Sequence, residues 1–192
     1  MDPFTHIKSV LAIVLGLSLA HLLQASLNLL LHPGKKKPYW VHLLWVFYIF
    51  LLILHFWWWE YNLTGIKTWT FLEYIFVTLY IINYYAIAYV IFPNNISEYE
   101  DSYQVYFYSK KNWFYSFLGF SFLLDVIDTL IKGRQYFSHS GSEYDARILI
   151  SIILCLLGMK IKNRKFQSAL VIFFILYEIV YIARTATALV KQ

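Results

Sequence analysis

Long apolar runs separated by short polar segments recur along the whole chain. A helix needs roughly 20 apolar residues to cross the hydrocarbon core of a bilayer, where every backbone N–H and C=O must find a partner within the protein. Hydrophobic residues make up 60% of the 192 residues and charged residues only 14%, so no segment has the composition of a sizeable soluble domain. The sequence therefore predicts an all-α, polytopic integral membrane bundle whose immediate partner is the lipid bilayer.

About six transmembrane helices are predicted, and they form a single transmembrane domain over residues 1–192. Proline and glycine in the segment HPGKKKP end the first span, because both residues interrupt helices. The fifth span is near the lower length limit for crossing a bilayer, so we expect it to cross with little tilt or to begin earlier, near Tyr144. The approximate ranges are 7–31, 40–59, 69–92, 113–131, 147–161 and 166–190.

Lysine and arginine cluster in alternate connections between the predicted spans, at 35–37, 110–111 and 160–165. Cytoplasmic loops of membrane proteins carry an excess of these two residue types. The pattern predicts a protein of the cell membrane, either plasma or inner membrane, with both termini outside the cytoplasm. The connection 132–147, which would lie outside, is itself fairly basic and departs from the pattern.

Four polar residues from four different spans are predicted to lie within roughly 5 Å of the midplanes of those spans. They are His21, Asn83, Asp125 and Glu178. Ionisable side chains at this depth cost at least a few kcal/mol, so they usually face the bundle interior and often mark a pathway or site. We expect these four residues to form one polar layer. Ser18 and Asn28 continue the face of His21 at helical spacing and are expected to form a packing stripe.

A second, outer layer of polar residues is predicted roughly 8 to 10 Å from the midplanes of the spans. It consists of His55, Asp128 and Arg184, and Glu60 lies beside it. Asp128 and Arg184 have opposite charges and are expected to pair. Lys132 follows Asp128 by one helical turn, and its long side chain is expected to reach toward the membrane surface.

The shared depth of titratable groups predicts that the protein passes protons or a small cation, as a channel or transporter, either through a homo-oligomer or along the interior of the first, third, fourth and sixth spans. A structural role for the same polar groups, as hydrogen bonds between helices, is the simpler alternative. A second alternative is a sensor or effector that does not transport and that binds a cytoplasmic protein partner through the tyrosine-rich segment 96–111.

Metal or haem binding is a less favoured alternative, since no paired-histidine, HExxH or CxxC spacing is present, and we expect no cofactor. The sequence contains no GxSxG motif and no nucleotide or nucleic-acid motif. We therefore expect the protein to be neither an enzyme nor a partner of nucleic acids. In architecture alone the chain resembles the six-span proton-activated potassium channels of lysosomes and bacteria. Its first span, LAIVLGLSLAHLLQASLNLL, lacks their Phe-Ser-Asp signature.

Three consecutive tryptophans, at 57–59, end the second predicted span. Indole rings favour the headgroup layer of a bilayer, so this run is expected to mark an interface. An aromatic cage for a cation is the alternative, but successive helical residues point about 100° apart and do not share a face.

Overall fold

The computed structural model describes residues 3–32, 34–66, 68–93, 95–132 and 134–186, with side-chain positions for all of these except 3–4, 65, 134–142 and 185–186. Within this part of the chain the protein is helical, which confirms the all-α prediction. Two short 3₁₀ helices, Glu60–Gly65 and Ile96–Tyr99, lie in the connections. The α-helices are α1 (Pro3–Leu31), α2 (Trp40–Trp59), α3 (Phe71–Val90), α4 (Tyr103–Lys132), α5 (Arg134–Lys160) and α6 (Arg164–Ala186).

The helix α2 has the same bounds as the predicted span 40–59, whereas the helices α4 and α5 differ most from the predicted spans. The helix α4 begins ten residues before the predicted 113, and α5 begins well before the predicted 147. Both extensions are polar segments, so they escape a search for apolar runs, yet both are helical in the structure. Residues 187–190 of the sixth predicted span lie outside the described residues.

Several helix ends are satisfied by nearby side chains. At the start of α3, Thr70 accepts a hydrogen bond from the backbone N–H of Glu73, and the Glu73 carboxylate accepts one from the backbone N–H of Thr70. Before α6, Asn163 accepts from the backbone N–H of Lys165. These capping interactions replace the hydrogen bonds that the first turn of a helix lacks.

The helices alternate in direction through the bundle. His6 stacks on Tyr74 and His21 stacks on Tyr89, so α1 and α3 run parallel. Lys111, near the start of α4, donates to the carbonyl of Gly158 near the end of α5, which makes these two helices antiparallel. One end of the bundle therefore carries the connections 32–39, 91–102 and 161–163.

Exposed cations concentrate at this end, which we call the basic end. The α1–α2 and α5–α6 connections meet there, since the Arg164 guanidinium lies over the Tyr39 ring, 5.6 Å from its centroid. A backbone bridge between Lys37 and Ser102 ties the α3–α4 connection to the same surface. The exposed or half-exposed cations of these connections are Lys35, Lys36, Lys37, Lys160, Lys162, Arg164 and Lys165.

Five helices in the described part of the chain, α1 to α4 and α6, are long and apolar enough to cross a membrane. The apolar part of α5 is shorter, but it exposes Leu149, Ile153 and Leu156 in the same way as its neighbours expose apolar side chains. Large apolar side chains on the outside of nearly every helix are what a hydrocarbon surrounding requires. The fold is consistent with a membrane protein of five or six spans.

A layer of aromatic rings fills the bundle between the basic end and its middle. The Trp45 indole packs on Phe114, Tyr115 and Phe174 with ring centroids 5.1 Å, 5.5 Å and 5.5 Å away, and on Tyr48 at 5.6 Å. Such pairs contribute about 0.5 to 1.5 kcal/mol beyond the burial of area. This aromatic layer joins α2, α4 and α6, and it separates the basic end from the polar site described next.

Candidate functional site

A small polar cavity lies on the other side of the aromatic layer, where α2, α3, α4, α5 and α6 meet. Its volume is about 50 Å³. A water molecule needs roughly 10 to 15 Å³ by the same kind of measure, so there is room for a few waters or a small ion. The side chains that supply its polar lining are His55, Tyr80, Tyr84, Ser121, Asp125, Asp128, Thr129, Lys132, Tyr144, Arg147 and Tyr181. We call this site the ion-pair cavity.

The first ion-pair group joins the end of α2 to the end of α4. The Lys132 ammonium lies 2.7 Å from Glu60 Oε1 and 2.5 Å from Asp128 Oδ2. All three side chains are at most 4% exposed. Asp128 and Lys132 meet because they are four residues apart on one helix. Glu60 reaches them because α2 ends at Trp59 beside the last turn of α4.

A second ion pair joins α4 to α5. Arg147 Nη2 donates to Asp125 Oδ2 at 2.8 Å. The same guanidinium lies over the Tyr181 ring, 4.5 Å from its centroid, which is within the range of a cation–π interaction. One turn before Arg147 on α5, the Tyr144 hydroxyl lies 3.0 Å from the Thr129 hydroxyl of α4. These contacts fix the helical hairpin of α4 and α5 around the cavity.

The third pair links α2 to α6. His55 Nδ1 lies 2.6 Å from Glu178 Oε1, a separation typical of a strong hydrogen bond between an imidazole and a carboxylate. The His55 ring packs edge-on against Tyr181 with centroids 5.5 Å apart. Tyr181 therefore touches both the His55–Glu178 pair and Arg147, so it connects the third pair to the second.

Several buried polar atoms of this cluster have no hydrogen-bond partner among the described residues. They are His55 Nε2, Glu60 Oε2, Asp128 Oδ1 and Arg147 Nε. A buried polar atom without a partner costs about 1 to 3 kcal/mol, so an ordered water or an ion usually satisfies such atoms in proteins. The cluster can therefore bind a water or a small polar ligand at these atoms, and the carboxylate and imidazole atoms among them can also take up a proton.

Four of the predicted residues from the two predicted layers meet at this one site. Asp125 and Asp128 line the cavity, and His55 bonds directly to Glu178. Residues of the polar layer and of the outer layer therefore meet at one site. Depth counted along each span separately cannot show which residues of different helices come into contact.

The other two members of the predicted polar layer lie elsewhere. Asn83 is buried and donates to the backbone carbonyl of Phe117, two turns before Asp125 on α4. His21 stacks on Tyr89, near the end of α3, rather than on the part of α3 that lines the cavity. In the predicted packing stripe, Ser18 is buried and donates to the carbonyl of Val14.

Asn28, the other residue of that stripe, is exposed. The face of α1 that carries the stripe is therefore buried near the middle of the helix and exposed near the end of the helix. Asn28 contributes its backbone instead, because its carbonyl accepts from the N–H of His32.

Two predicted interactions are wrong. Arg184 pairs with Glu143, at 2.7 Å and 2.9 Å, and both side chains are exposed, so Arg184 does not serve as the partner of Asp128. Lys132 does not reach toward the membrane surface, because its side chain is only 1% exposed and lies between two carboxylates. The cation that pairs with Asp128 is Lys132, which lies four residues later on the same helix.

Arg147 is the main site residue that the sequence analysis did not identify. The predicted fifth span begins at 147, so the sequence alone groups this arginine with the cations of the preceding loop. In the structure α5 begins at Arg134, which places Arg147 more than three turns inside the helix. Helical spacing could have indicated that Arg147 belongs to the helix, because Tyr144, Arg147 and Ser151 share one face of α5.

The segment 96–111, expected to bind a partner, is mostly part of the bundle. Its second half forms the first turns of α4, where Tyr103, Tyr106, Phe107 and Lys111 are buried. The exposed residues of this segment are Ser97, Glu98, Glu100, Gln104, Val105 and Ser109, with Asn95 just before it.

The three consecutive tryptophans have different environments. Trp58 is 57% exposed, as an interface residue would be. Trp59 lines the ion-pair cavity and its ring lies 6.3 Å from that of His55. The run therefore contributes one wall residue to the site, while the other rings lie at the outside of the bundle or half-buried.

Among the described residues, no group of three His, Cys, Asp or Glu side chains is arranged to hold a metal ion. Cys155 is buried and has no disulfide partner. Comparisons with family models, with curated proteins and with solved structures find no significant match to this chain.

Proposed function

We propose that the protein passes protons, or a small cation, across a membrane by way of the ion-pair cavity. One observation carries the proposal. Four carboxylates, from the turn after α2, from α4 and from α6, meet two cations and one histidine inside an otherwise apolar bundle, and several of their polar atoms have no partner among the described residues. Charge at this depth is strongly disfavoured unless it has a function.

The charge balance favours a positive ligand. Lys132 and Arg147 offset two of the four carboxylates, and His55 offsets a third only when it carries a proton. A buried surplus of negative charge is unfavourable, so a proton or cation that enters the cavity is stabilised there. A purely structural cluster would be expected to contain equal numbers of acids and bases with all their polar atoms paired.

A proton suits the site better than a metal cation. The places next to Glu60, Asp128 and Asp125 are already taken by the Lys132 ammonium and the Arg147 guanidinium. Trp45 and Tyr115 of the aromatic layer are fully buried, which disfavours passage of a hydrated ion toward the basic end. Proton transfer needs only short steps between hydrogen-bonded groups, and the His55–Glu178 pair is such a step.

Flux in proteoliposomes tests the proposal. Vesicles containing a pH-sensitive dye and an imposed potassium diffusion potential would report proton entry through the wild type. We expect Asp125→Asn and Glu178→Gln each to reduce this flux by at least about tenfold, because an amide cannot take up a proton. The matched control is Asp145→Asn, which removes an exposed carboxylate from α5 at the same end of the bundle.

Glu178→Gln keeps a hydrogen-bond acceptor for His55, so this variant should fold even if Asp125→Asn does not. Size-exclusion profiles in detergent would verify folding. Wild-type flux equal to that of empty vesicles, or unchanged flux in folded Glu178→Gln, would overturn the proposal. A flux of sodium or potassium that depends on Asp125 and Glu178, without proton movement, would identify a metal cation as the transported species.

A further inference from the structure

A second and larger cavity lies between the end of α3, the turn Ile96–Tyr99 and the first half of α4. Its volume is about 350 Å³. This lies at the lower end of the roughly 300 to 1,000 Å³ typical of small-molecule sites. Aromatic side chains form much of its wall, namely Tyr89, Phe92, Tyr99, Tyr106, Trp113 and Phe117. We call it the α3–α4 interfacial pocket.

The length of α4 predicts that the pocket lies at the depth of lipid headgroups. The helix α4 has 30 residues, which corresponds to about 45 Å, whereas the hydrocarbon core is about 30 Å thick. The first turns of α4 therefore extend beyond the core at the basic end. Trp113 is 63% exposed and lies where α4 changes from polar to apolar sequence, a position that indole rings favour at the membrane boundary.

The pocket carries one charge of each sign. Glu98, on the 3₁₀ turn, and Lys110, on α4, both line it. Within the described part of the chain, neither side chain forms a hydrogen bond or an ion pair. Two neighbouring charged groups are already engaged, since the Asp101 carboxylate accepts from the Ser97 hydroxyl and Lys111 donates to the carbonyl of Gly158.

Contacts between neighbouring side chains hold the wall around the two charges in place. The Tyr106 hydroxyl donates to the carbonyl of Val90 at 2.6 Å, which ties α4 to the end of α3. The Tyr99 ring packs edge-on against Tyr106 with centroids 5.0 Å apart, so the turn that carries Glu98 is held on α4. Trp113 stacks on Phe117 at 6.0 Å, which fixes the membrane-facing side of the pocket.

We propose that the α3–α4 interfacial pocket binds the headgroup of a zwitterionic phospholipid. The ammonium group of the lipid lies against the Glu98 carboxylate and the faces of Tyr99 and Trp113, which attract cations through their π systems. The phosphate lies against the Lys110 ammonium. The acyl chains leave the pocket past Trp113 into the hydrocarbon core. This proposal is independent of proton passage, because none of these residues lines the ion-pair cavity.

Lipid binding to the detergent-purified full chain, measured by native mass spectrometry with added phosphatidylethanolamine or phosphatidylglycerol, tests the proposal. We expect the wild type to bind phosphatidylethanolamine more tightly. Glu98→Gln should weaken phosphatidylethanolamine binding by about tenfold and leave phosphatidylglycerol binding unchanged, because only the former has an ammonium group. Lys110→Gln should weaken binding of both lipids, since both contain a phosphate.

The controls are Glu100→Gln and Lys160→Gln, which remove exposed charges at the same end of the bundle but outside the pocket. Binding in both controls should equal that of the wild type. All four variants change exposed or half-exposed side chains, so folding should be preserved. Equal affinity of the wild type for the two lipids, or loss of binding in the controls as large as in Glu98→Gln, would overturn the proposal. Preference for phosphatidylglycerol would also overturn it, and would indicate a general attraction of anionic lipids to the basic end.

Discussion

Lys132 shows how one residue determines the character of the ion-pair cavity. Its ammonium group is held between Glu60 and Asp128 with almost no exposure to the surroundings. Removing one partner of a buried ion pair is far more costly than the net stabilisation of the intact pair, because the remaining charges stay buried without compensation. Lys132 therefore allows Glu60 and Asp128 to remain inside the bundle together.

We expect Lys132→Met to lower the free energy of unfolding in detergent by about 3 to 5 kcal/mol, since both carboxylates lose their cation while the side-chain volume is conserved. Denaturant-induced unfolding followed by circular dichroism would measure this loss. Lys162→Met, which changes an exposed lysine at the basic end, serves as the control and should behave as the wild type. Adding Glu60→Gln to Lys132→Met should recover part of the loss. Equal stability of Lys132→Met and the wild type would show that Lys132 is not needed to compensate the two carboxylates.

At the scale of elements, the α4–α5 hairpin organises the site. Its two helices are separated only by residue 133 and run antiparallel along their length. Close contact near the basic end depends on Gly158, because an added Cβ there would lie 2.7 Å from Cζ of the buried Tyr115 ring. The Tyr115 hydroxyl in turn donates to Gln167 Oε1 of α6 at 2.5 Å. A side chain at 158 would therefore disturb the contact of α4 with both α5 and α6.

Gly158→Ala should destabilise the protein by about 1 to 3 kcal/mol, the usual cost of inserting a methyl group into a packed interior. Gly16→Ala is a matched control, because a Cβ at position 16 of α1 meets nothing within 4 Å. There the better helix propensity of alanine should stabilise the protein by about 0.5 to 1 kcal/mol. Thermal unfolding of both variants in the same detergent would distinguish these effects. Similar shifts in both variants would contradict close packing at Gly158.

At the scale of the whole molecule, the alternating helix directions collect the lysine and arginine clusters at one end. The α1–α2, α3–α4 and α5–α6 connections meet there, while the ion-pair cavity lies nearer the other end. An excess of cations at one end is the usual mark of the cytoplasmic side. The orientation with both termini outside remains a prediction, and it requires α5 to cross the membrane. Lys67 and Lys191, which would lie outside, are not among the described residues.

Cysteine accessibility would test this orientation. An impermeant thiol reagent applied to intact cells should label Thr64→Cys and Asp145→Cys, which lie at the end opposite the basic end. It should label Lys162→Cys only after the cells are opened. All three positions are exposed, and the buried native Cys155 should stay unlabelled. Labelling of positions 145 and 162 from the same side would show that α5 does not cross, and the reverse pattern would invert the orientation.

The candidate site was only partly predictable from the sequence. Asp125, Asp128, His55 and Glu178 could be singled out, because charge in an apolar run is conspicuous whatever the packing. Their partners could not be identified in the same way. Arg147 was hidden in a polar extension of α5, and pairing depends on how each helix is rotated and tilted against its neighbours.

The sequence by itself determined that the chain forms apolar helices of a membrane type, since the length and composition of each run leave no other way to satisfy the backbone in hydrocarbon. It also determined that ionisable groups lie within those runs. Only the tertiary structure decided that Lys132 lies between Glu60 and Asp128, that His55 bonds to Glu178 and that His21 lies apart from them. Hydropathy depends on each residue and its near neighbours along the chain. An ion pair between helices depends on how those helices pack, and the similar apolar surfaces of the helices would allow many different packings.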